Sequence, residues 1–226
     1  MPPFEDIRAV TFDVGGTLIR PWPSVGHVYC DAAARHGHDN LDPDLINKQF
    51  IAAWRAKKHF DHSQAAWLEL VQKAFAGLLD EASVQELFDD LYVHFAAPEA
   101  WRVFDDVYPT LDKLRNHGLK LGLISNWDER LRPLLTELQL TPYFDPIVIS
   151  VEAGSTKPSS GIFVRAVSLL AIPSHSILHV GDSLSEDVVG ARSAGLQGLL
   201  LDRKASGARE TSIPTLGELM SKLGIE

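Results

Sequence analysis

Five apolar runs of strand length, at residues 7–12, 119–124, 147–149, 177–180 and 196–201, punctuate this 226-residue chain. Each of the last four follows a stretch with helical spacing, at 108–117, 129–140, 159–171 and 185–194. Strands that alternate with helices pair in parallel through right-handed crossovers, because each helix must pack back onto the sheet. The expected class is therefore α/β, a doubly wound parallel sheet, whose ligand site lies beyond the carboxyl ends of the strands. Residues 21–105 break the alternation, since 25–36, 43–58, 63–79 and 83–95 all read as helices with no strand between them. They predict an inserted helical cap, leaving 1–20 and 106–226 as the α/β core. Pro21-Trp22-Pro23 and Pro98 supply stiff, helix-breaking connections on the way in and out.

Composition narrows the ligand more than the fold. A net charge of −9 lacks the excess of Lys and Arg that general nucleic-acid binding draws on. No apolar run approaches the roughly 20 residues that span a bilayer. The start of the chain, Met1-Pro2-Pro3-Phe4-Glu5-Asp6, has neither the basic residues nor the apolar stretch of a signal peptide, and the single Cys30 forms no internal disulfide. The expected setting is the cytoplasm and the expected partner a small molecule, with no nucleic acid and no membrane. Nothing in the sequence sets the oligomeric state.

Four segments concentrate polar groups at strand exits or helix starts. Asp13-Val14-Gly15-Gly16-Thr17 puts a lone carboxylate and two glycines directly after the first strand. Ser125-Asn126 ends the second core strand in a hydroxyl, and Lys157-Pro158 precedes the helix at 159–171, with Pro158 suited to a first helical turn. Gly181-Asp182-Ser183-Leu184-Ser185-Glu186-Asp187 adds further carboxylates after the strand at 177–180. Parallel strands open on one edge, so Asp13, Ser125, Lys157 and Asp182 can converge although far apart in sequence. Carboxylates that meet repel one another unless a cation sits between them, and hard oxygen ligands favour Mg²⁺. Each residue also has an ordinary reading: Ser125 as a helix cap, Lys157 as an exposed charge, Asp187 as a first-turn acid favoured by the helix dipole, Gly16 and Thr17 as parts of a tight turn. His36 with His38, and His59 with His62, read as solvated surface for want of further ligands. Trp54, Trp67 and Phe75 recur at helical spacing as cap core, and Trp127 reads as packing or as a substrate contact.

In their order along the chain these segments resemble the four motifs of the haloacid dehalogenase-like (HAD) hydrolases. The resemblance implies a Rossmann-like core with a cap, and Asp13, Ser125 and Lys157 as catalytic residues: nucleophile, phosphoryl-binding hydroxyl and neutralising cation. Substrate contacts would come from Gly16, Thr17, Ser125, Asn126 and Lys157. Mg²⁺ would be held by Asp13, the main-chain carbonyl of Gly15 and Asp182, with Asp187 and then Glu186 in support. The family's first motif is Asp-x-Asp-Gly-Thr, whose second Asp is the general acid/base, and here Gly15 stands in that place. A positioned acid/base is typically worth about 10²–10⁴ in rate. The resemblance therefore implies Mg²⁺-dependent phosphatase-type hydrolysis of a small phosphorylated metabolite through an aspartyl-phosphate on Asp13, at low activity.

Two alternatives stay open, 2-haloacid dehalogenation, which also works without the second Asp, and a non-catalytic protein that binds a metabolite or a partner. Gly181-Asp182-Ser183-Leu184 spells the signature of the GDSL esterases too, but that block belongs near the N-terminus and needs a later His, and none follows His179. Lys57 and Lys58 could offer a cap amine for phosphonate hydrolysis, yet they read as an exposed helical face. Substrate identity is expected from residues 21–105, where no motif names a ligand.

Overall fold

The computed structural model describes residues 4, 6–57 and 60–225. Along the chain run β1 (Ala9–Phe12), β2 (Ile19–Pro21), α1 (Val25–Arg35), α2 (Pro43–Ala56), α3 (Gln64–Ala74), α4 (Glu81–His94), β3 (Trp101–Val103), α5 (Val107–Asn116) and β4 (Lys120–Ser125). There follow α6 (Leu131–Glu137), β5 (Ile147–Ile149), α7 (Ser150–Ala153), α8 (Ser160–Leu170), β6 (Ile177–Gly181), α9 (Gly190–Ser193), β7 (Gln197–Leu201), β8 (Ser212–Ile213) and α10 (Leu219–Leu223). These elements form two compact units, one running from the N-terminus to Ile19 and resuming at Val103, the other spanning Arg20–Arg102.

The first unit is an α/β layer structure. Six strands lie in the order β5-β4-β1-β6-β7-β8, and every neighbouring pair is parallel. The middle strands β1 and β6 are buried at every residue, as expected of strands covered on both faces. Phe12 at the end of β1 pairs with Leu123 of β4 and Val180 of β6, so the chain leaves these three strands at nearly one level. That register gathers their exits on one edge of the sheet.

α8 illustrates how local sequence secures the packing. The Ser159 side chain caps its start by accepting from the Gly161 N–H, and Ala171, at φ 53° in the left-handed region, ends it. Between these, Ile162, Phe163, Ala166 and Leu170 are buried and share a core cluster with Ala9, Ile124, Val148 and Ile177 of the sheet. Burying such a side chain contributes roughly 1.5–3 kcal/mol.

Two helices of the first unit expected from the sequence are shorter or differently wound, and in the second unit the stretch 63–79 is helical only over Gln64–Ala74, the chain turning at Gly77, φ 75°. The stretch 129–140 is helical only over Leu131–Glu137, because the Asp128 carboxylate accepts from the Arg130 N–H and Nε and holds the approach in a turn. The stretch 185–194 begins as a π-helix over Leu184–Val189, closed by a Val188 N–H to Ser183 carbonyl bond of 3.3 Å, before α9 takes over. Such wide turns recur where a side chain must be aimed rather than stacked. The two-residue β8 and the small sheet of β2 with β3 carry too few residues to show a period in sequence.

The second unit is helical, apart from the strands at its ends. Ser24, Asp42, Ser63 and Asp80 cap α1 to α4 through side-chain bonds to the first-turn N–H groups. Its core gathers Tyr29, Ile46, Val71, Phe75, Leu87 and Leu91, with Trp67 packed against it and Trp54 stacked on Trp67 at 5.9 Å. His62 is a correction. It is buried, its ring 4.8 Å from that of Phe60, because the turn before α3 folds inward onto the aromatic cluster. Lys57 differs from an exposed face as well, being half-buried with its ammonium 4.1 Å from the Trp54 ring centre. Lys58 and His59 lie outside the described residues. His36 bonds Asp90 at 3.0 Å.

Phe163 is fully buried and meets the His179 ring edge-on at 5.2 Å. Phe163→Ala is expected to lower the unfolding free energy by about 3–5 kcal/mol, read in urea as a shifted midpoint with an unchanged slope.

Candidate active site

Asp13 follows β1 and continues its extended course, its N–H bonding the Val180 carbonyl at 3.0 Å. Its carboxylate is almost wholly buried. Ser125, the last residue of β4, donates its hydroxyl to Asp13 Oδ1 at 3.0 Å. Lys157 Nζ donates to the same oxygen at 2.6 Å and to Asp187 Oδ1 at 2.6 Å. The main chain of Lys157 is held on both sides by the Asn126 amide, which accepts from its N–H at 2.7 Å and donates to its carbonyl at 3.0 Å. Pro158 is not in a helical turn. The Lys157–Pro158 peptide is cis, and the Ser159 N–H closes a turn onto the Thr156 carbonyl before α8 begins.

The segment after β6 supplies the remaining acids. Carboxylate oxygens of Asp13, Asp182 and Asp187 lie within 4.8 Å of one another. Asp187 is buried, and besides Lys157 it accepts from the Ser183 N–H at 2.9 Å, while Ser183 Oγ caps the π-helix at the Glu186 N–H. Glu186 meets the Asn126 amide at 3.4 Å. Gly16 sits at φ +79°, and a Cβ there would collide with the Asp182 carboxylate, so both conformation and space require glycine. Thr17 is fully buried, with no hydrogen-bond partner for its hydroxyl among the described residues. Gly15 is not in the left-handed region; a Cβ there would lie 3.3 Å from Cζ3 of Trp127.

Burial raises the pKa of Asp13; Lys157 opposes the rise and Asp187 adds to it. Asp182 is also raised, by desolvation first and then by Asp13 and Asp187, although its outer face is exposed and solvent screens part of the effect. For Asp187, burial pushes up, but Lys157 and His179 overcome it and hold the carboxyl well below the usual range. Burial likewise pushes Lys157 down, and the two carboxylates overcome it and keep the ammonium charged.

His179 and Arg203 were not among the residues singled out for this site. Burial lowers the pKa of His179, so its ring is neutral, which fits Nε2–H donating to Asp187 Oδ1 at 3.1 Å and Nδ1 accepting from the Thr11 hydroxyl at 2.9 Å. An imidazole in the otherwise apolar run 177–180 was the available signal. Arg203 donates to the Thr17 carbonyl at 2.8 Å and makes two bonds to Asp106, which also accepts from the Leu216 N–H. It ties the far end of the glycine turn to the segment after β7, and no local pattern marks it.

A family model described as haloacid dehalogenase-like hydrolase matches residues 7–195. The chain belongs to that family. Haloacid dehalogenase-like hydrolase domain-containing protein 3 of Danio rerio is 35% identical over 96% of this chain and 96% of its own length. The glyceraldehyde 3-phosphate phosphatase of Methanopyrus kandleri is also 35% identical, over 84% of this chain and 82% of its own. Among solved structures, a HAD phosphatase from Thermococcus onnurineus is 28% identical and covers 97% of this chain and 99% of its own, with a TM-score of 0.68. This HAD hydrolase has no described helix long and apolar enough to cross a membrane.

Because the Asp187 pKa is depressed below its ordinary 3.8, its ionised form contributes stability that is fully present above that value and is lost as pH falls through the lowered one. Asp187→Asn is expected to cost about 3–5 kcal/mol at pH 6. The difference from wild type in urea unfolding should shrink when both are measured near pH 3.

Proposed function

We propose that this HAD hydrolase is a Mg²⁺-dependent phosphatase acting on a small phosphorylated metabolite in the cytoplasm, with Asp13 as the nucleophile. The observation that carries this reading is the way Asp13 is held. Ser125 and Lys157 both bond Oδ1, which leaves Oδ2 as the attacking oxygen. A nucleophile shielded from water and fixed in direction has little reorganisation left to undergo in the transition state. Lys157 and the Ser125 hydroxyl would then neutralise and bind the incoming phosphoryl oxygens.

The donor set suits a divalent cation. Three carboxylates crowd within 4.8 Å, and Lys157 is the cation bonded to two of them, so negative charge remains uncompensated beside the exposed Asp182. Asp13, the Gly15 carbonyl and Asp182 would hold Mg²⁺. Asp187, whose oxygens already serve Lys157, His179 and Ser183, would support it by placing the lysine. Bound there, Mg²⁺ offsets the charge of a phosphoryl group nearing an anionic nucleophile. Asn126, which brackets the Lys157 main chain, would act by aiming that lysine; Gly16 and Thr17 would shape the turn beside the phosphoryl site. The name of the Methanopyrus relative supports a small phosphorylated substrate.

A second reading, displacement of halide from a 2-haloacid by Asp13, is favoured by one observation, the absence of a second carboxylate at position 15. The screen that tests the proposal separates the two. Purified protein should release phosphate from a panel of phosphorylated small molecules with Mg²⁺ and not with EDTA, and should release no halide from 2-chloropropionate. Asp13→Asn should abolish turnover while the variant remains folded, as read by circular dichroism and a cooperative urea transition. Mg²⁺ at about 100 times its Kd should add about 2.7 kcal/mol to stability, an increment lost in Asp182→Ala. Halide release that persists in EDTA would overturn the phosphatase reading.

A further inference from the structure

On that phosphatase reading, the geometry points to a substrate class: phosphoric anhydrides of the acyl phosphate type, whose leaving group departs without a proton, with Trp127 as the residue that imposes the choice. Trp127 occupies the space into which a side chain at position 15 would grow. A Cβ on Gly15 would sit 3.3 Å from its Cζ3, tighter than most such contacts, and 4.0 Å from its Cη2, before any carboxylate is added. The residue that carries the indole is held in place. It is buried to 9% exposure, and its main chain is tied to Ser150 by two bonds of 3.0 Å, one from the Trp127 N–H to Ser150 Oγ and one from that hydroxyl to the Trp127 carbonyl. The Val151 N–H adds a third, at 3.3 Å. Gly15 is thus more than a missing acid; an acid there would have to displace the indole by a few tenths of an ångström.

The other ionisable groups of the site are committed. Lys157 bonds Asp13 and Asp187, and Asp187 also serves His179 and the Ser183 N–H. Asp182 is assigned to the cation, and Glu186 meets the Asn126 amide. With no carboxylate at position 15 to protonate the leaving oxygen, a sugar phosphate must expel a strongly basic alkoxide. An acyl phosphate expels a carboxylate, whose conjugate acid has a pKa of about 4, and a nitrophenyl phosphate expels a stabilised phenolate. In the first step Asp13 Oδ2 forms a bond to phosphorus, the bridging P–O bond breaks, and its electron pair leaves with the carboxylate. In the second, water bonds to phosphorus, the Oδ2–P bond breaks to restore Asp13, and the proton of the water passes to solvent. The second step lacks a base for the same reason that the first lacks an acid, so hydrolysis of the phosphoenzyme limits turnover whenever the leaving group is good.

The test measures acetyl phosphate, 4-nitrophenyl phosphate and glucose 6-phosphate with wild-type protein and Mg²⁺. The first two should share one kcat, because they share the step that limits them, and nitrophenolate should appear in a burst of about one per site. Glucose 6-phosphate should show no burst and a kcat/KM lower by a factor of about 10²–10⁴. Gly15→Asp combined with Trp127→Ala should raise the glucose 6-phosphate rate and remove the burst, whereas Gly15→Asp alone should gain less, with melting temperatures recorded for both. A glucose 6-phosphate kcat/KM within tenfold of the nitrophenyl value, or a loss of glucose 6-phosphate turnover in Glu186→Gln, would overturn the inference and leave the phosphatase reading standing. Gly15→Asp gaining as much as the double variant would acquit Trp127. Turnover of none of the three would sink the phosphatase reading and the inference with it.

Discussion

The ammonium of Lys157, buried between Asp13 and Asp187 at 2.6 Å from each, is the interaction on which the candidate site depends. Removing such ions from water costs on the order of several kcal/mol each, and their attraction offsets that only when the geometry is good and further bonds satisfy the remaining polar atoms. Those bonds are present. Ser125 shares Asp13 Oδ1, His179 and the Ser183 N–H serve Asp187, and Asn126 fixes the lysine's own peptide. A fully satisfied buried network is rigid, and rigidity is what a nucleophile of fixed direction needs.

The sheet makes that network affordable by placing its members without strain. β1 lies between β4 and β6, so Asp13, Ser125 and the acids after β6 leave adjacent strands on one edge. Lys157 comes from the turn before α8, whose apolar side anchors it to the same sheet. The π-helix after β6 then turns Asp187 inward to meet the lysine while leaving Asp182 exposed, so two acids five residues apart end in different surroundings. Their pKa values are driven in opposite directions from the same ordinary value. One is suited to holding the lysine, the other to meeting a cation.

Much of the core was legible before any coordinates. The apolar runs at 7–12, 119–124, 147–149, 177–180 and 196–201 each coincide with a strand of the sheet to within two residues at either end, because a strand covered on both faces is largely apolar. Helix ends were less legible. At 129–140 a side-chain bond from Asp128 overrode a helical pattern, and at 185–194 the demands on Asp187 replaced α-helix by π-helix. His62 looked like surface because its neighbours in sequence are polar, whereas its neighbours in space are Phe60 and Trp67.

By itself the sequence determined which segments are strands and helices and which polar residues stand at their ends, because periodicity and punctuation are local properties of a chain. It also determined that position 15 carries no side chain. Only the tertiary structure decided what that absence means. The Ser125 hydroxyl reaches Asp13 across 112 residues and Lys157 reaches it across 144, and the indole of Trp127 comes to lie against Gly15 over a comparable span. Contacts of that range depend on strand order and register, which arise from the packing of the whole sheet and leave no pattern in either segment alone.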